Sequence, residues 1–345
     1  MALRDEIGEQ PAALRRLISD GRQSIERVAD VLRERQVDGL LIAARGSSDH
    51  AAIYAQYVFG ARHRLPVALA TPSLITLYGI EPRFGQAAVV GISQSGASPD
   101  VVAVVQAARR QGVPTIAITN SADSPLAAAA ELVIDLHAGH EGAVAATKTY
   151  TAELAAIAML SVSLDANTEA VEAINGVPAA VEAAIALEPV VATAARAHAE
   201  MRACVVLGRG FEYATAREWA LKVKELAHVV ADPYSAADFQ HGPLALLEPG
   251  FPVLAVAPSG VAQAGMVELL DRIRSAFDVD LVVMSDRDDA LELASAPIRL
   301  PAGLPDWLMP IVSIVPAQLF AYQLAIAKGL DPDEPRHIRK VTLTR

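Results

Sequence analysis

Short apolar runs alternating with helical stretches constrain this chain more than any other feature. Residues 37–44 (VDGLLIAA), 65–70, 87–92 (AAVVGI), 114–119 and 132–136 read as buried strands. Helical periodicity follows the first run to about residue 59, returns over residues 99–111, and fills residues 147–164. Strands that alternate with helices predict an α/β fold, a doubly wound parallel sheet with helices on both faces. The plan then repeats. Residues 203–207 (ACVVL) end in Gly208-Arg209-Gly210, and residues 253–257 end in Pro258-Ser259-Gly260, where the first half has Ser93-Gln94-Ser95-Gly96. Residues 281–285 (LVVMS) parallel 115–119, and 298–303 (IRLPAG) parallel 134–139 (IDLHAG). The order of these parallels predicts a duplicated α/β unit. The expected organisation is a helical segment at 1–34 behind a polar lead-in at 1–11, a first subdomain at 35–165, a helical connector at 166–198, a second subdomain at 199–328 and a tail at 329–345.

Composition removes some classes of function. A chain of 345 residues with 52% hydrophobic and 20% charged residues has ample length for two packed domains. A net charge of −11 argues against nucleic acid as partner, because phosphate backbones select basic surfaces. It leaves room for a small anion held by a few groups. Cys204 is the single cysteine, so no intrachain disulfide forms. The polar start MALRDEIGEQ and the interrupted apolar runs predict neither a signal peptide nor a membrane span, hence a cytoplasmic protein.

Two features could carry chemistry. The first is residues 217–247, REWALKVKELAHVVADPYSAADFQHGPLALL, in which Trp219, Val223, Leu226 and Val230 form an apolar helical stripe. Beside it run Glu218, Lys222 and Glu225, a row with two readings: a solvated edge of salt bridges, or acids and bases aimed into a cleft. His241 follows in a turn before Gly242-Pro243, where a histidine can serve as an acid/base group. The second feature is a pair of strand-to-helix turns, Gly46-Ser47-Ser48 and Ser93-Gln94-Ser95-Gly96-Ala97-Ser98. Such turns present unpaired N–H groups and the positive helix end to an anion, although serines there also serve as plain N-caps. No phosphate-loop or dinucleotide glycine motif is present, so nucleotides are not indicated. His137-x-x-His140-Glu141 lacks the spacing of a known metal motif, and no metal or cofactor is expected. Lys340 lies in a basic cluster near the end of the chain.

Taken together, these residues resemble the sugar isomerase (SIS) family, in particular the isomerase half of glucosamine-6-phosphate synthase. Closer still is the resemblance to stand-alone SIS-type glucosamine-6-phosphate deaminases. It extends from the lead-in through both serine turns, Val144-Ala145-Ala146-Thr147-Lys148, the Glu218/Lys222/Glu225 row and His241-Gly242-Pro243-Leu244 to the tail from Pro335 to Lys340. The resemblance implies two tandem subdomains, each a flavodoxin-like three-layer unit on a five-stranded parallel sheet. It implies that Gly46, Ser47, Ser48, Ser93, Gln94, Ser95 and Ser98 hold the sugar phosphate and that Val144 and Ala145 contact the sugar. Glu225 would move a proton between C1 and C2, with Glu218 and Lys222 in support. His241 would open the ring, reaching in from the second subunit of a homodimer, and Lys340 would meet the sugar carbonyl. Of the departures from the synthases, Ala2 in place of a cysteine nucleophile points away from glutamine hydrolysis. The runs 43–49 and 93–100, with Arg45 where synthases often have Cys and Ala97 for Glu, look more like the deaminase branch. His140 and Gly142 also depart from the synthase pattern, and Ala146 replaces a serine often found near the sugar. The expected activity is conversion of glucosamine 6-phosphate and water to fructose 6-phosphate and ammonia. The alternatives are a related deglycase or phosphosugar isomerase, a synthase fed by a separate glutaminase, and a sugar-phosphate sensor without catalysis.

Overall fold

The computed structural model describes residues 2–165 and 167–340. Its chain forms two compact units. The first holds residues 9–142, 146–165, 167–175 and 339–340; the second holds residues 2–8, 143–145 and 176–338. Of the expected tail, positions 341–345 lie outside the described residues, as does Ala166 at the head of the expected connector.

The sheet of the first unit comprises β1 (Leu40–Ala43), β2 (Val67–Leu69), β3 (Ala88–Ile92), β4 (Thr115–Thr119) and β5 (Leu132–Asp135). The strands stand in the order β2-β1-β3-β4-β5, and each neighbouring pair is parallel. β3 and β4 are buried at every residue, as expected of central strands covered on both faces, and this is why they read as unbroken apolar runs. Helix Pro99–Arg110 sets Val101, Val104 and Val105 against Val89 and Ala117 of the sheet. The chain runs outward from β1 to β2 and then returns past β1 to β3, so the winding direction reverses between β1 and β3. At such a switch point the carboxyl ends of two neighbouring strands diverge into a crevice.

The second unit repeats this topology. β6 (Ala203–Gly208), β7 (Val230–Ser235), β8 (Pro252–Val256), β9 (Asp280–Ser285) and β10 (Ala296–Arg299) form a parallel sheet in the order β10-β9-β8-β6-β7. Read from the other edge, this is the order of the first sheet. Val205, Leu207, Val253, Ala255, Leu281 and Val283 pack there with Leu269, Leu270 and Ile273 of helix Gln263–Phe277. Each unit is therefore the five-stranded parallel α/β layer structure that the alternation predicts.

Three elements differ from the sequence reading. The polar lead-in contains a helix, Ala2–Gly8, with Leu3, Glu6 and Ile7 buried. Asp333 accepts the N–H groups of Ala2 (3.1 Å) and Leu3 (2.9 Å), so the acid that caps this helix comes from the far end of the sequence. Val230 does not belong to the helical stripe. Helix Glu212–Ala227 stops at His228, whose φ of +54° is left-handed, and Val230 opens β7 with 70% of its surface exposed. β7 escaped notice because it is an edge strand with Pro233 inside it and no buried apolar run; only an edge tolerates that proline. Finally, the segment Asp306–Ala327 is long and apolar enough, by length and composition, to cross a membrane. Within the protein, 89% of its most apolar window is buried, and a helix apolar all round is what a core position requires.

Candidate functional site

Both serine turns belong to the first unit and leave the neighbouring strands β1 and β3. The β1 turn passes through Gly46 (φ +55°) into helix Ser47–His63; the β3 turn passes through Gly96 (φ +61°) into helix Pro99–Arg110. A Cβ on Gly96 would collide with the Ser124 side chain, so both the backbone and the space demand glycine. Gly46, Ser47, Ser48, Ser93, Gln94, Ser95 and Ser98 are thus brought to one end of one sheet, where two helix N-termini favour an anion. Ser93 Oγ accepts the N–H of Gly96 (3.2 Å) and Ser95 Oγ that of Ala97 (3.3 Å), which braces the loop and leaves both hydroxyl protons to donate. Ser48 differs. Its hydroxyl is buried and donates to Glu153 Oε1 at 2.8 Å, so a ligand there meets the first turn of a helix rather than a ready hydroxyl proton. Arg45, at the mouth of the same turn, is held by Asp100, its Nε donating to Oδ2 at 2.7 Å, while half of its side chain stays exposed.

A cavity of about 590 Å³ lies at the carboxyl ends of β3, β4 and β5, lined among others by Gln94, Ser95, Asn120, Asp135, His137 and Glu141. That size lies within the range of small-molecule sites. The loop beyond β5 is tied down by Arg16, which donates to the carbonyls of His137 (3.0 Å) and Ala138 (3.1 Å), and by Asn120, which donates to Gly139 (2.7 Å). His137 and His140 are therefore parts of a pinned cavity wall. Lys340 also belongs to the first unit, where its Nζ stands 2.6 Å from Glu141 Oε2. Burial alone would push the Glu141 carboxyl up. The Lys340 ammonium and the hydrogen bonds from Thr147 and Thr149 outweigh it and hold the group below the ordinary carboxylate range.

The acid/base row lies in the second unit and is not a solvated edge. Glu218 and Lys222 are 0% and 1% exposed, and Lys222 Nζ stands 3.3 Å from Glu218 Oε1 and 2.5 Å from Glu225 Oε2. The neighbouring apolar face explains the burial: Trp219 meets Phe320 of helix Met309–Ala327 edge to face at 5.4 Å. Burial works against the lysine's charge, but Glu218 and then Glu225 overcome it and keep the amine above its ordinary range. A permanently charged Lys222 is no base; it holds a carboxylate. Glu225 alone in the row is partly exposed, at 23% of its side chain, so it is the member that can reach a substrate.

His241 is exposed in the turn between helix Ala236–Phe239 and the 3₁₀ turn Pro243–Leu246, next to Gly242 with φ +128°. Val144 and Ala145 also count with the second unit, where Glu6 accepts the N–H of Ala143 at 3.2 Å. Sequence reasoning overlooked the buried acids Glu153 and Glu212, and met Glu141 only within the rejected metal motif. Glu141 and Glu153 partner Lys340 and Ser48 from 199 and 105 positions away, and Glu212 pairs with Ser313. No local spacing marks such partners. Only the glycines around Glu141 hinted at a structured loop.

Comparison with known proteins places this geometry. A family described as the SIS domain matches residues 35–163 and again 199–328, which contain both sheets. Glutamine–fructose-6-phosphate aminotransferase (isomerizing) of Pyrococcus horikoshii is 33% identical over 347 residues, and that of Thermococcus kodakarensis 34% over 345 residues. In both cases 97% of this chain and 56% of the relative are covered, so the chain spans about half the length of these curated relatives. A crystal structure from Silicibacter pomeroyi, provisionally assigned as a phosphosugar isomerase, is 34% identical with a TM-score of 0.87, covering 96% of this chain and 100% of that one. The C-terminal domain of glucosamine-fructose-6-phosphate aminotransferase from Francisella tularensis is 27% identical with a TM-score of 0.84, covering 97% and 98%. Glucosamine-6-phosphate deaminase from Thermotoga maritima, at 21% identity and a TM-score of 0.73 over 96% and 100%, shares the fold. With the same domain matched once over each sheet, the chain belongs to the SIS domain family.

Proposed function

We propose that this chain is a phosphosugar isomerase, and specifically a glucosamine-6-phosphate deaminase. The observation that carries the reading is the buried Glu218–Lys222–Glu225 row, in which one partly exposed carboxylate is fixed by an ammonium that two acids keep charged. The serine turns, with their two helix ends, support a dianionic phosphate as the handle of the substrate. In this reading His241 assists ring opening, and Lys340 meets the carbonyl of the open sugar, with Val144 and Ala145 giving backbone contacts. Glu225 takes the proton from C2 and returns it to C1, which converts the 2-amino aldose into a ketimine. Water adds to the ketimine carbon and ammonia departs, giving fructose 6-phosphate. Lys222 and Glu218 hold Glu225 in place. The protein acts as a cytoplasmic homodimer, with His241 serving the substrate of the other copy.

A second reading is favoured by the names of the curated relatives: the same isomerisation run toward glucosamine 6-phosphate, with ammonia supplied from elsewhere. One assay separates the two. Purified protein is given glucosamine 6-phosphate, and ammonia and fructose 6-phosphate are followed together; fructose 6-phosphate with ammonium is tested in parallel. The deaminase reading expects equal amounts of both products and a loss of at least a thousandfold in Glu225→Gln, roughly the contribution of a positioned general base or more. Undiminished turnover in Glu225→Gln would refute it.

A further inference from the structure

Glu141 has no part in the proposed proton transfers, yet its carboxylate organises one wall of the cavity. The side chain is wholly shielded from solvent. One oxygen accepts the N–H groups of Thr147 (2.9 Å) and Thr149 (3.1 Å), and the other accepts the Thr149 hydroxyl (2.7 Å) and Lys340 Nζ (2.6 Å). Threonine donors alone satisfy the hydrogen bonds of a carboxylate but leave its charge uncompensated, and a buried ion needs a counter-charge. Lys340 supplies one from 199 positions along the chain. Glu141 belongs to the loop that walls the cavity displaying Gln94 and Ser95, so the pairing ties the ammonium to the same unit that carries the phosphate turn.

We propose that Glu141 is the positioning residue for Lys340. It brings the lysine to the first unit and fixes where its ammonium stands relative to the phosphate turn. The inference rests on the reading in which Lys340 meets the sugar carbonyl, and adds the group that gives the lysine its place. Glu141 thus acts through Lys340 and not on the substrate.

The test separates docking from activity. Limited trypsin digestion of the full chain, followed by mass spectrometry, reads the rate of cleavage after Arg339 and Lys340. Glu141→Gln speeds that cleavage about tenfold or more, because loss of the buried charge partner frees the lysine. Kinetics with glucosamine 6-phosphate are then measured for Glu141→Gln, Lys340→Met and the double variant. Each single change lowers kcat/KM by roughly 10- to 100-fold, and the double variant is no worse than the poorer single, the signature of residues acting as a unit. Losses that multiply in the double variant, or cleavage at the wild-type rate in Glu141→Gln, overturn the proposal. If Glu141→Gln does not fold, Lys340 decides: Lys340→Met must speed cleavage after Arg339, and Lys340→Arg, which keeps the charge, must restore protection. Failure of either overturns it. A wild-type protein that leaves glucosamine 6-phosphate untouched counts against the deaminase reading alone, since the digestion still decides whether Glu141 docks Lys340.

Discussion

Glu212 offers a measurable consequence of burial. It begins helix Glu212–Ala227, where the helix end favours an anion by about 0.5–2 kcal/mol. Complete burial opposes the charge more strongly. Hydrogen bonds with Thr215 and Ser313 partly offset it, Asp306 and Asp286 add to it, and the carboxyl is pushed up to about 7 from 4.5. Ser313 Oγ donates to Oε2 at 2.7 Å, while Oε1 is buried without a hydrogen-bond partner. The folded protein therefore binds this proton more tightly than the unfolded chain. Its contribution to stability is complete below about pH 4.5, falls as the pH rises, and is lost above about pH 7. The whole span is about 3 kcal/mol, most of it between pH 5 and pH 8. Glu212→Gln keeps the shape of the protonated acid and removes the titration. Trp219 and Trp307 both lie in the second unit and are buried, so tryptophan fluorescence in urea follows the unit that holds Glu212. The stability of the variant relative to wild type should rise by about 2–3 kcal/mol from pH 5 to pH 8. Parallel pH profiles for the two proteins would refute the reasoning.

Two further outcomes follow from the geometry. Lys222→Met removes the cation between Glu218 and Glu225, breaks a buried ion pair, and should cost about 3–5 kcal/mol in urea unfolding together with most of the activity. Gly96→Ala forces a side chain onto Ser124 and onto a left-handed backbone; it should lower stability by about 2–4 kcal/mol and weaken inhibition by inorganic phosphate, read as a raised Ki.

Much of the fold was legible because its signals are local. Central strands β3 and β4 are buried on both faces and appear as apolar runs, and the glycine–serine turns directly follow β1 and β3 in the sequence. β7 was not legible, since an edge strand has little buried surface to leave a pattern and Pro233 argues against it. The same distinction divides the candidate site. The spacing of Glu218, Lys222 and Glu225 put them on one helical side without revealing whether water reached it. The Trp219–Phe320 contact, between residues about a hundred positions apart, belongs to the packing that buries the row.

By itself, then, the sequence determined the alternation of strands and helices, the duplication, the serine turns at the strand ends, and the side of the helix that carries the acids. These depend on backbone preference and periodicity, which act over a few residues. Only the tertiary structure decided that Lys222 is enclosed by two acids, that Glu141 holds Lys340, that Ser48 gives its proton to Glu153, and that Glu212 is pressed toward its neutral form. Charge and protonation depend on the surrounding dielectric and on partners brought from distant parts of the chain, and neither exists until the chain has packed.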